Sequence, residues 1–511
     1  MTADGIHLSR PARSIARRRG MVMLTAMLAS SMYSLDLTIV SIALPHMRGT
    51  FAAAPDQIAW VVTAFILGAT IMVIGAGWLG ARFGRKPLFV ASIAGFTAAS
   101  VMCANAETLE AAVAWRFLQG LAGASLIPLS QAIAVDAYPR EQYGRALGLW
   151  GIGGMIGPVL APSLGGYITD AYGWSGVFYL NLPLGILTVL GAVAFVPRES
   201  ADPSRRLDWF GLLALVAGCG ALQLMLNRGA RLGWFGSTEV VVELAVTVGC
   251  LYLFLASMFV ARNPFLRPEL FRDWNYALGL VTIFVFGSLI FLPIVLLPLL
   301  LEGLRGFPAE TIGVLLTPRA IGVAISSVLV GRLAERMGLR QLTVLGFLGM
   351  SLGAWWMSRW TFDVGAFEVM WVGFVHGFMS SFVFMPVNMM AFSTLATRHR
   401  MEAVPLFYLA INLGASMGIA AVITFWAEEA QQSHAVLSEH VTPFRLSVER
   451  GLAPEGGDPA RLAALDAEVT RQAEMIAYNN SFFLIAAVSL LAAPLALVLR
   501  RPARARATRA G

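Results

Sequence analysis

The sequence carries little charge for its length. Only 13% of its 511 residues are Asp, Glu, Lys or Arg, whereas 57% are hydrophobic, and the mean hydropathy is +0.71. Soluble domains of ordinary composition are about one quarter charged. The shortage of charge therefore argues against a soluble protein and favours one that lies in a membrane.

Reactive side chains and nucleotide-binding motifs are also scarce. The three cysteines, Cys103, Cys219 and Cys250, lie in apolar runs without disulfide or metal-ligand spacing, so we interpret them as small buried hydrophobes. There is no G-x-x-x-x-G-K-[ST] phosphate loop and no H-E-x-x-H zinc motif. We expect neither ATP-driven chemistry nor a metalloenzyme, and we expect no cofactor and no metal.

Long apolar runs are abundant. Fourteen runs approach the roughly 20 residues that cross a bilayer. They cover approximately residues 20–44, 57–79, 88–106, 109–133, 146–168, 175–196, 209–226, 240–261, 275–300, 311–330, 341–358, 367–392, 403–426 and 478–498. The first run follows a basic leader without a small-residue cleavage site, which indicates an anchored helix and not a signal peptide. The sequence predicts an all-α integral membrane protein.

The positive charges are distributed unevenly between these runs. Of the 37 Lys and Arg residues, 26 lie in the two tails and the even-numbered loops and 9 in the odd-numbered loops, while Arg116 and Arg319 lie inside spans. Positive charge concentrates on the cytoplasmic side of membrane proteins, so both termini are predicted to be cytoplasmic. We interpret the basic C-terminal tail as a contact for lipid headgroups and expect no nucleic-acid partner.

One acidic residue, Asp36, lies in the middle of the first apolar run. A carboxylate at bilayer depth costs about 2.5–3.5 kcal/mol on insertion scales. A carboxyl group that can take up a proton is a simple means of coupling a membrane protein to a proton gradient. Asp36 therefore indicates proton-driven transport. The structural alternative is an Asp that caps a broken helix or pairs with a neighbouring span.

A short motif recurs in the two parts of the chain. GWLGARFGRK (Gly77 to Lys86) follows the second span, and GRLAERMGLR (Gly331 to Arg340) follows the tenth, 254 residues later. Both fit G-x-L-[GA]-x-R-x-G-x-[KR]. Two six-helix halves separated by two further helices would give this spacing, and such halves around a midplane cavity are used by alternating-access carriers.

Four segments together resemble the motifs of the major facilitator superfamily, in particular its fourteen-helix drug:proton antiporters of the EmrB type. They are LDLTIVSIALP (Leu35 to Pro45), RFLQG (Arg116 to Gly120), GIGGMIGPVLAPSLGG (Gly151 to Gly166) and WSGVFYLNLPLG (Trp174 to Gly185). The resemblance extends from about Met21 to the end of the last span. It implies the major facilitator fold, with two six-helix halves plus two extra helices, in the bacterial inner membrane.

The corresponding domain boundaries follow from the spans. We expect a basic N-tail at 1–19, an N-terminal half at 20–196, a linker with two extra helices at 197–273, a C-terminal half at 274–498 with a long periplasmic loop at 427–477, and a basic C-tail at 499–511.

The resemblance also implies roles for individual residues. Asp36 and Arg116 would couple transport to protons, with a static buried ion pair as the alternative. The repeated motif would form a gate that contains Gly77, Gly84, Arg85, Lys86, Gly331, Glu335, Arg336 and Gly338. The antiporter motif would form a hinge that contains Gly153, Gly157, Pro158, Pro162, Gly165 and Gly166, with simple glycine packing as the alternative.

Two positions depart from the family pattern. Ala81 replaces the usual Asp of the first gate motif, so a latch through that acid is not available there, and Glu335 occupies the same slot in the second copy. Asn412 replaces an expected Arg in the thirteenth span. For the substrate we consider Gln119, Phe284, His376, Phe382 and Met385, because aromatic and methionine side chains adapt to varied ligands.

The sequence therefore predicts a secondary transporter and no enzyme. The expected function is proton-coupled export of hydrophobic toxic compounds or drugs, and the alternative is export of one endogenous metabolite such as a lipid, siderophore or antibiotic. The family also suggests a periplasmic membrane-fusion adaptor and an outer-membrane channel. The loop at 427–477 contains an apolar stripe (Leu462, Leu465, Val469 and Ile476) that fits either an adaptor contact or a helix on the membrane surface.

Overall fold

The structure, a computed structural model, is built from long helices. It describes residues 10–53, 55–58, 60–139, 142–198, 207–261, 264–334, 336–395, 400–441 and 459–500. Within these ranges no strand is present, so the all-α prediction is confirmed.

The N-terminal part contains six helical rods, two of them in two pieces. They are α1 (Arg10–Thr50), α2 (Trp60–Phe83), α3 (Arg85–Ala104), α4 (Leu109–Gly123 and Leu126–Asp136), α5 (Tyr143–Tyr172) and α6 (Ser175–Tyr179 and Asn181–Phe195). A short helix, Pro55–Ile58, precedes α2. Gly84 alone separates α2 from α3, at φ 89°, a conformation that side chains with a Cβ rarely adopt.

Two helices, α7 (Trp209–Leu232) and α8 (Thr238–Val260), connect the two parts of the molecule. Asp208 caps α7 by accepting a hydrogen bond from the Gly211 N–H at 2.9 Å. Helices α7 and α8 pack against each other, and α7 also contacts α2.

The C-terminal part contains six further rods. They are α9 (Trp274–Ile290 and Leu292–Gly303), α10 (Ala309–Leu333), α11 (Leu339–Met357), α12 (Ala366–Ser393), α13 (Arg400–Glu439) and α14 (Pro459–Ala492 and Leu495–Val498). The turn Trp234–Gly236 precedes α8, and the short helix Glu269–Arg272 precedes α9. Helix α9 is interrupted at Phe291, two residues before Pro293, because proline cannot donate a backbone hydrogen bond.

Twelve of these rods are long and apolar enough to cross a membrane, counted over the described residues. The remaining two, α5 and α11, lie in the same bundle but are not among those twelve. The prediction of fourteen spans is therefore not settled by hydropathy, and it stays a prediction.

The two parts of the molecule meet along α5 and α10. Gly144 of α5 lies against Gly331 of α10, and Gly148 lies against the Ser327 carbonyl. Because these glycines have no Cβ, the two helix backbones come into direct contact at that end of the bundle. Helices α2 and α13 form a second contact between the two parts.

The outer segment after α13 differs from the predicted loop at 427–477. Helix α13 continues to Glu439, and α14 already begins at Pro459, without a break before Ala492. The predicted amphipathic helix is therefore the first part of α14 and does not lie separately along the membrane. The physical reason is that no glycine or proline interrupts the sequence between Ala460 and Ala492. Residues 442–458 lie outside the described part of the chain.

Candidate functional site

A buried polar cluster lies inside the N-terminal part, around Asp36 of α1. Asp36 is 0% exposed and Arg116 of α4 is 1% exposed. Arg116 Nη1 lies 2.6 Å from Asp36 Oδ2, which makes an ion pair between two helices that are far apart in sequence. A buried charge is tolerated only when it is paired and hydrogen-bonded, and this pair meets both conditions. We call this group the Asp36 cluster.

Two amide side chains complete the coordination of the carboxylate. Gln119 Nε2 and Asn181 Nδ2 each donate to Asp36 Oδ1 at 2.8 Å. Asn181 also donates to Ser100 Oγ at 3.0 Å, and Ser100 in turn donates to the Phe178 carbonyl. Asp36 therefore accepts three hydrogen bonds, which come from residues of α4 and α6.

Arg116 is held on its other sides as well. Its Nε donates to the Val61 carbonyl of α2 at 3.2 Å, and its Nη1 donates to Gln119 Oε1 at 2.8 Å. The guanidinium carbon lies 4.2 Å from the centroid of the Phe65 ring. The guanidinium is thus contacted by a carboxylate, an amide oxygen, a backbone carbonyl and an aromatic ring, which together compensate its charge where lipid and water do not reach it. The cluster thus joins α1, α2, α4 and α6.

The sequence identified only part of this site. Asp36 and Arg116 are brought together, whereas Gln119, which we assigned to the substrate pocket, binds the carboxylate instead. Asn181 was missed, although a polar amide inside the WSGVFYLNLPLG run was a signal that could have indicated it. Its role depends on how α6 packs against α1, and a single sequence does not show that packing.

The antiporter motif packs directly on the helix that carries Asp36. A Cβ at Gly157 would lie 2.7 Å from the Ser31 carbonyl oxygen, and one at Gly153 would lie 2.6 Å from Met27 Cβ. The Ser31 hydroxyl donates to the Gly153 carbonyl. Gly165 lies against Ile39, whereas Gly154 and Gly166 face open space. Three of the motif glycines therefore set the distance between α5 and α1. Pro158 and Pro162 both lie within α5, which the structure shows as one continuous helix.

The first gate motif has a partner that the sequence did not reveal. Arg85 forms an ion pair with Asp136 at the end of α4, and Lys86 Nζ donates to the Val193 carbonyl at 2.7 Å. Asp136 thus pairs with the first gate motif, in which Ala81 replaces the usual Asp.

The second gate motif is described only in part. Gly331 contacts Gly144, Arg336 is exposed, and the Gly338 N–H donates to Gln341 Oε1 at 3.3 Å. Glu335 lies outside the described residues.

A cavity of about 310 Å³ opens between the two parts near this gate. Its lining includes Gly77, Arg85 and Gln131 from the N-terminal part and Asn388 and Met389 from α12. The Asn388 Nδ2 group is buried without a hydrogen-bond partner. The volume is at the lower end of the range for small-molecule sites. Among the described lining residues, none is one of the five that the sequence suggested for the substrate.

Those residues lie elsewhere. Phe284 packs beside Gly414, Phe382 and Met385 are buried in the hydrophobic core, and His376 is fully buried in α12. Residues 414–418, GASMG, have the G-x-S-x-G spacing of a hydrolase nucleophile. They lie inside helix α13, however, and Ser416 donates to Gln223 Oε1 at 2.8 Å. No strand-to-helix turn exposes this serine, so the spacing does not indicate an enzyme.

Known proteins resemble this chain over most of its length. The family model described as Major Facilitator Superfamily matches residues 26–419. The chain is 32% identical over 473 residues to the "Multidrug export protein EmrB" of Escherichia coli (strain K12), covering 91% of this chain and 92% of that protein. It is 30% identical over 487 residues to the "Fatty acid resistance protein FarB" of Neisseria gonorrhoeae, covering 94% and 96%.

Solved structures share the architecture at low sequence identity. The proton:xylose symporter XylE superposes with a TM-score of 0.60 at 14% identity, covering 94% of this chain and 95% of that one. A bacterial homologue of the human lysosomal transporter Spinster superposes with a TM-score of 0.55 at 17% identity, covering 97% and 100%. At these identities the likeness concerns the fold alone.

Proposed function

The chain belongs to the Major Facilitator Superfamily and is a membrane transporter similar to the EmrB multidrug exporters, and we propose that it exchanges protons for hydrophobic toxic compounds. In this proposal it exports drugs across the bacterial inner membrane by alternating access. The two six-helix halves, 20–196 and 274–498, move relative to each other, and the linker 197–273 contributes two extra helices.

The Asp36 cluster carries the proposal of proton coupling. In the proposal, the buried Asp36 side chain, which accepts three hydrogen bonds including the one from its ion-pair partner Arg116, represents the state without a bound proton. Protonation removes the charge that attracts Arg116, so it weakens the contact between α1 and α4. Because Gly153 and Gly157 of α5 pack on α1, a shift of α1 would reach the interface between α5 and α10. Binding of a proton thereby favours one arrangement of the halves over the other.

The available energy is sufficient for export. One elementary charge that crosses a potential of about 150 mV releases roughly 3.5 kcal/mol. This corresponds to a substrate gradient on the order of a few hundredfold for each charge moved.

Proton coupling is tested with purified protein in proteoliposomes. The wild type is expected to move a hydrophobic dye against its gradient when the lumen and the bath differ in pH. Asp36→Asn should abolish this gradient-driven movement, because the amide imitates a carboxyl group that never releases its proton. Asp170→Asn is the control, since Asp170 is exposed at the far end of α5. Wild-type transport by the Asp36→Asn protein would refute the coupling role.

The range of substrates separates the proposal from its alternative. One relative is named for multidrug export and another for fatty acid resistance. A drug-susceptibility panel on a deletion strain, with and without a collapsed proton gradient, should show increased sensitivity to several unrelated compounds. Sensitivity to none of them would favour a dedicated exporter of an endogenous lipid, siderophore or antibiotic.

We also propose that both termini are cytoplasmic, on the basis of the charge distribution. The outer end of α13 would then face the periplasm. A single cysteine at Glu439, in a protein without its three native cysteines, should react with an impermeant reagent added from outside. Reaction of this site only from the cytoplasm would reverse the assignment.

The outer hairpin, defined here as Glu428–Glu439 of α13 and Pro459–Ala477 of α14, is proposed as the contact for a periplasmic adaptor and, through it, an outer-membrane channel. His434 Nε2 lies 3.2 Å from Asp466 Oδ1, and Asn480 Nδ2 donates to Glu429 Oε2 at 2.6 Å, so the two helices are joined side by side. Leu462 is 50% exposed on this hairpin. An exposed leucine outside the membrane is a reasonable contact for an adaptor helix.

The adaptor contact is tested by placing charge on the same stripe. Leu465→Asp with Val469→Asp should reduce drug resistance in cells and leave transport in adaptor-free proteoliposomes unchanged. An equal loss in both assays would show that the hairpin serves the fold of the carrier, and unchanged resistance would remove the argument for a partner.

A further inference from the structure

The wall of the cavity between the two halves contains two buried amide side chains. Gln131 of α4 and Asn388 of α12 both line it, one from each half. Each of the two residues is 5% exposed. The Asn388 Nδ2 group has no hydrogen-bond partner, and among the described residues none accepts a hydrogen bond from Gln131 Nε2. Two amide groups at one cavity therefore have donors without an acceptor, and we call them the amide pair.

A contact between the two halves sets the direction of the Gln131 amide. The Tyr408 hydroxyl of α13 donates to Gln131 Oε1 at 2.6 Å. This bond joins the C-terminal half to the N-terminal half, and it occupies the acceptor end of the amide. The Nε2 group is the end that remains to donate. Gln131 therefore supplies a hydrogen-bond donor to the cavity.

The rest of the cavity wall is apolar or compensated in charge. Among the described lining residues only Arg85 and Asp136 are charged, and they form an ion pair with each other. An unpaired buried N–H group is costly in such surroundings. A ligand that accepts hydrogen bonds without bringing a charge compensates this cost. The apolar part of the wall includes Pro128, Leu129, Val135, Leu147, Met389 and Phe392.

The lining positions follow the helix period. On α4, Pro128, Gln131 and Val135 are spaced by three and four residues. On α12, Asn388 and Phe392 are four residues apart. Residues at this spacing lie on one face of a helix. Each amide is therefore on the same face of its helix as apolar lining residues, so the wall combines donors with apolar surface.

The cavity is distant from the Asp36 cluster. Gln131 follows Arg116 by 15 residues on α4 (131 minus 116), which corresponds to about 22 Å along a helix. Tyr143 also lines the cavity, and it precedes Gly144, which touches Gly331 of α10. The cavity thus lies at the end of the bundle where the backbones of the two halves meet. A ligand bound there does not contact the residues proposed for proton coupling.

We propose that this cavity is a regulatory site for a neutral, largely apolar molecule whose carbonyl oxygen accepts hydrogen bonds from the amide pair. A carbonyl oxygen has two lone pairs and can accept from both amides. Because Gln131 and Asn388 belong to different halves, the ligand stabilises the arrangement in which both line one cavity. It therefore slows the movement of the halves and inhibits export. The inhibition rests on the proposed export function, whereas the binding does not.

Binding is measured on the purified full chain in lipid nanodiscs, without a proton gradient. The probes are tritiated 9-fluorenone and tritiated fluorene, which share three fused rings and differ in the carbonyl oxygen. Equilibrium dialysis with empty nanodiscs corrects for partition into lipid. The wild type should bind fluorenone about 10-fold more tightly than fluorene, because the carbonyl oxygen gains hydrogen bonds of ordinary strength.

Apolar replacements of the amides should remove this preference. Asn388→Leu and Gln131→Leu should each weaken fluorenone binding about 3- to 10-fold and leave fluorene binding unchanged. Asn388→Ser keeps a hydroxyl donor and should retain part of the preference. Gln223→Leu is the matched control, because Gln223 is also a buried amide with an unpaired Nε2 but contacts Ser416 and does not line this cavity. It should bind both probes as the wild type does.

The unfolding midpoint separates binding from a structural role of the amide. Asn388→Leu replaces an unpaired buried donor with an apolar group, so its midpoint without ligand should equal or exceed that of the wild type. A lower midpoint together with an equal loss of binding for both probes would assign Asn388 to the fold and overturn the site.

Two further binding results would overturn the proposal. Equal affinity of the wild type for fluorenone and fluorene would mean that the amides have no ligand acceptor and are hydrated by water in the cavity. A loss of the preference in Gln223→Leu as large as in Asn388→Leu would mean that the probe does not bind at this cavity.

The regulatory role is tested in proteoliposomes. Fluorenone should lower the maximal rate of gradient-driven dye export without raising the dye concentration that gives half of that rate. A rise in this concentration alone would place fluorenone at the transport site and overturn the regulatory role. Absence of dye export by the wild type, with the fluorenone preference intact, would instead contradict the export function and leave the ligand site in place.

Discussion

Each half of this transporter has an arginine inside a membrane-spanning helix, but among the described residues only the arginine of the N-terminal half pairs with an acid. In the Asp36 cluster, an acid and an arginine form a neutral pair, and two amides bond to the carboxylate. In the C-terminal half, Arg319 of α10 donates to the Ile290 carbonyl at the break in α9, and among the described residues no acid pairs with it. Both ring nitrogens of the buried His376 of α12 lack a hydrogen-bond partner. An arginine paired with a buried acid and an arginine bonded to a free carbonyl are therefore held by different interactions, and their removal should have different costs.

Removal of the two arginines should show this difference most strongly. Arg116→Met leaves the Asp36 carboxylate buried without its cation, so we expect a loss of about 3–5 kcal/mol in the free energy of unfolding. Arg319→Met leaves no acid behind and should cost about 1–3 kcal/mol, mainly through the unsatisfied Ile290 carbonyl. Equilibrium unfolding in mixed micelles measures both. Asp36→Asn combined with Arg116→Met should recover much of the larger loss, and equal losses for the two single variants would contradict the comparison.

Loss of the amide partner missed by the sequence should have the next largest effect. Asn181→Ala removes one of three hydrogen bonds to Asp36 and the bond to Ser100, so about 1.5–3 kcal/mol of stability should be lost, together with part of the gradient-driven export. Asn105→Ala is the control, because Asn105 is exposed at the end of α3. If both variants behaved alike, Asn181 would not contribute to the Asp36 cluster in the way its contacts indicate.

The shared helix packing can be tested in both halves at once. Gly120→Ala of α4 places a methyl group against the Phe65 carbonyl of α2, and Gly377→Ala of α12 places one against the Arg319 carbonyl of α10. Each should cost about 1–3 kcal/mol. Gly154→Ala meets nothing within 4 Å and should be neutral or slightly stabilising. The stability losses are measured by comparing the unfolding midpoints of the three variants with that of the wild type. A penalty in only one half would show that the two helix pairs do not pack alike.

The smallest effect is expected at an ion pair near the membrane surface. Arg85 of the first gate motif pairs with Asp136, but the Asp136 side chain is 42% exposed. Asp136→Asn should therefore change the stability by about 0–1 kcal/mol, far less than Arg116→Met, because water screens the pair. Its effect on transport rate can be larger, since the pair lines the cavity between the halves. A loss of stability as large as that of Arg116→Met would mean that this pair is not screened by water.

The sequence located the charged residues but not all of their partners. Asp36 and Arg116 were identified because charge inside an apolar run is rare, and the structure places them 2.6 Å apart. Gln119 was assigned to a substrate pocket because its sequence position does not show which way it points. Asp136 was overlooked as the acid for Arg85, since it lies 51 residues away at the end of another helix.

The sequence by itself determined the all-helical membrane architecture and the family, because hydropathy and short motifs are local properties of the chain. The EmrB-type resemblance is confirmed by the family match and by relatives at about 30% identity. Only the tertiary structure decided that Asn181 completes the Asp36 site and that Arg319 donates to the Ile290 carbonyl at the break in α9. These contacts join residues far apart in sequence, and they depend on the rotation and close approach of whole helices, which packing in three dimensions sets.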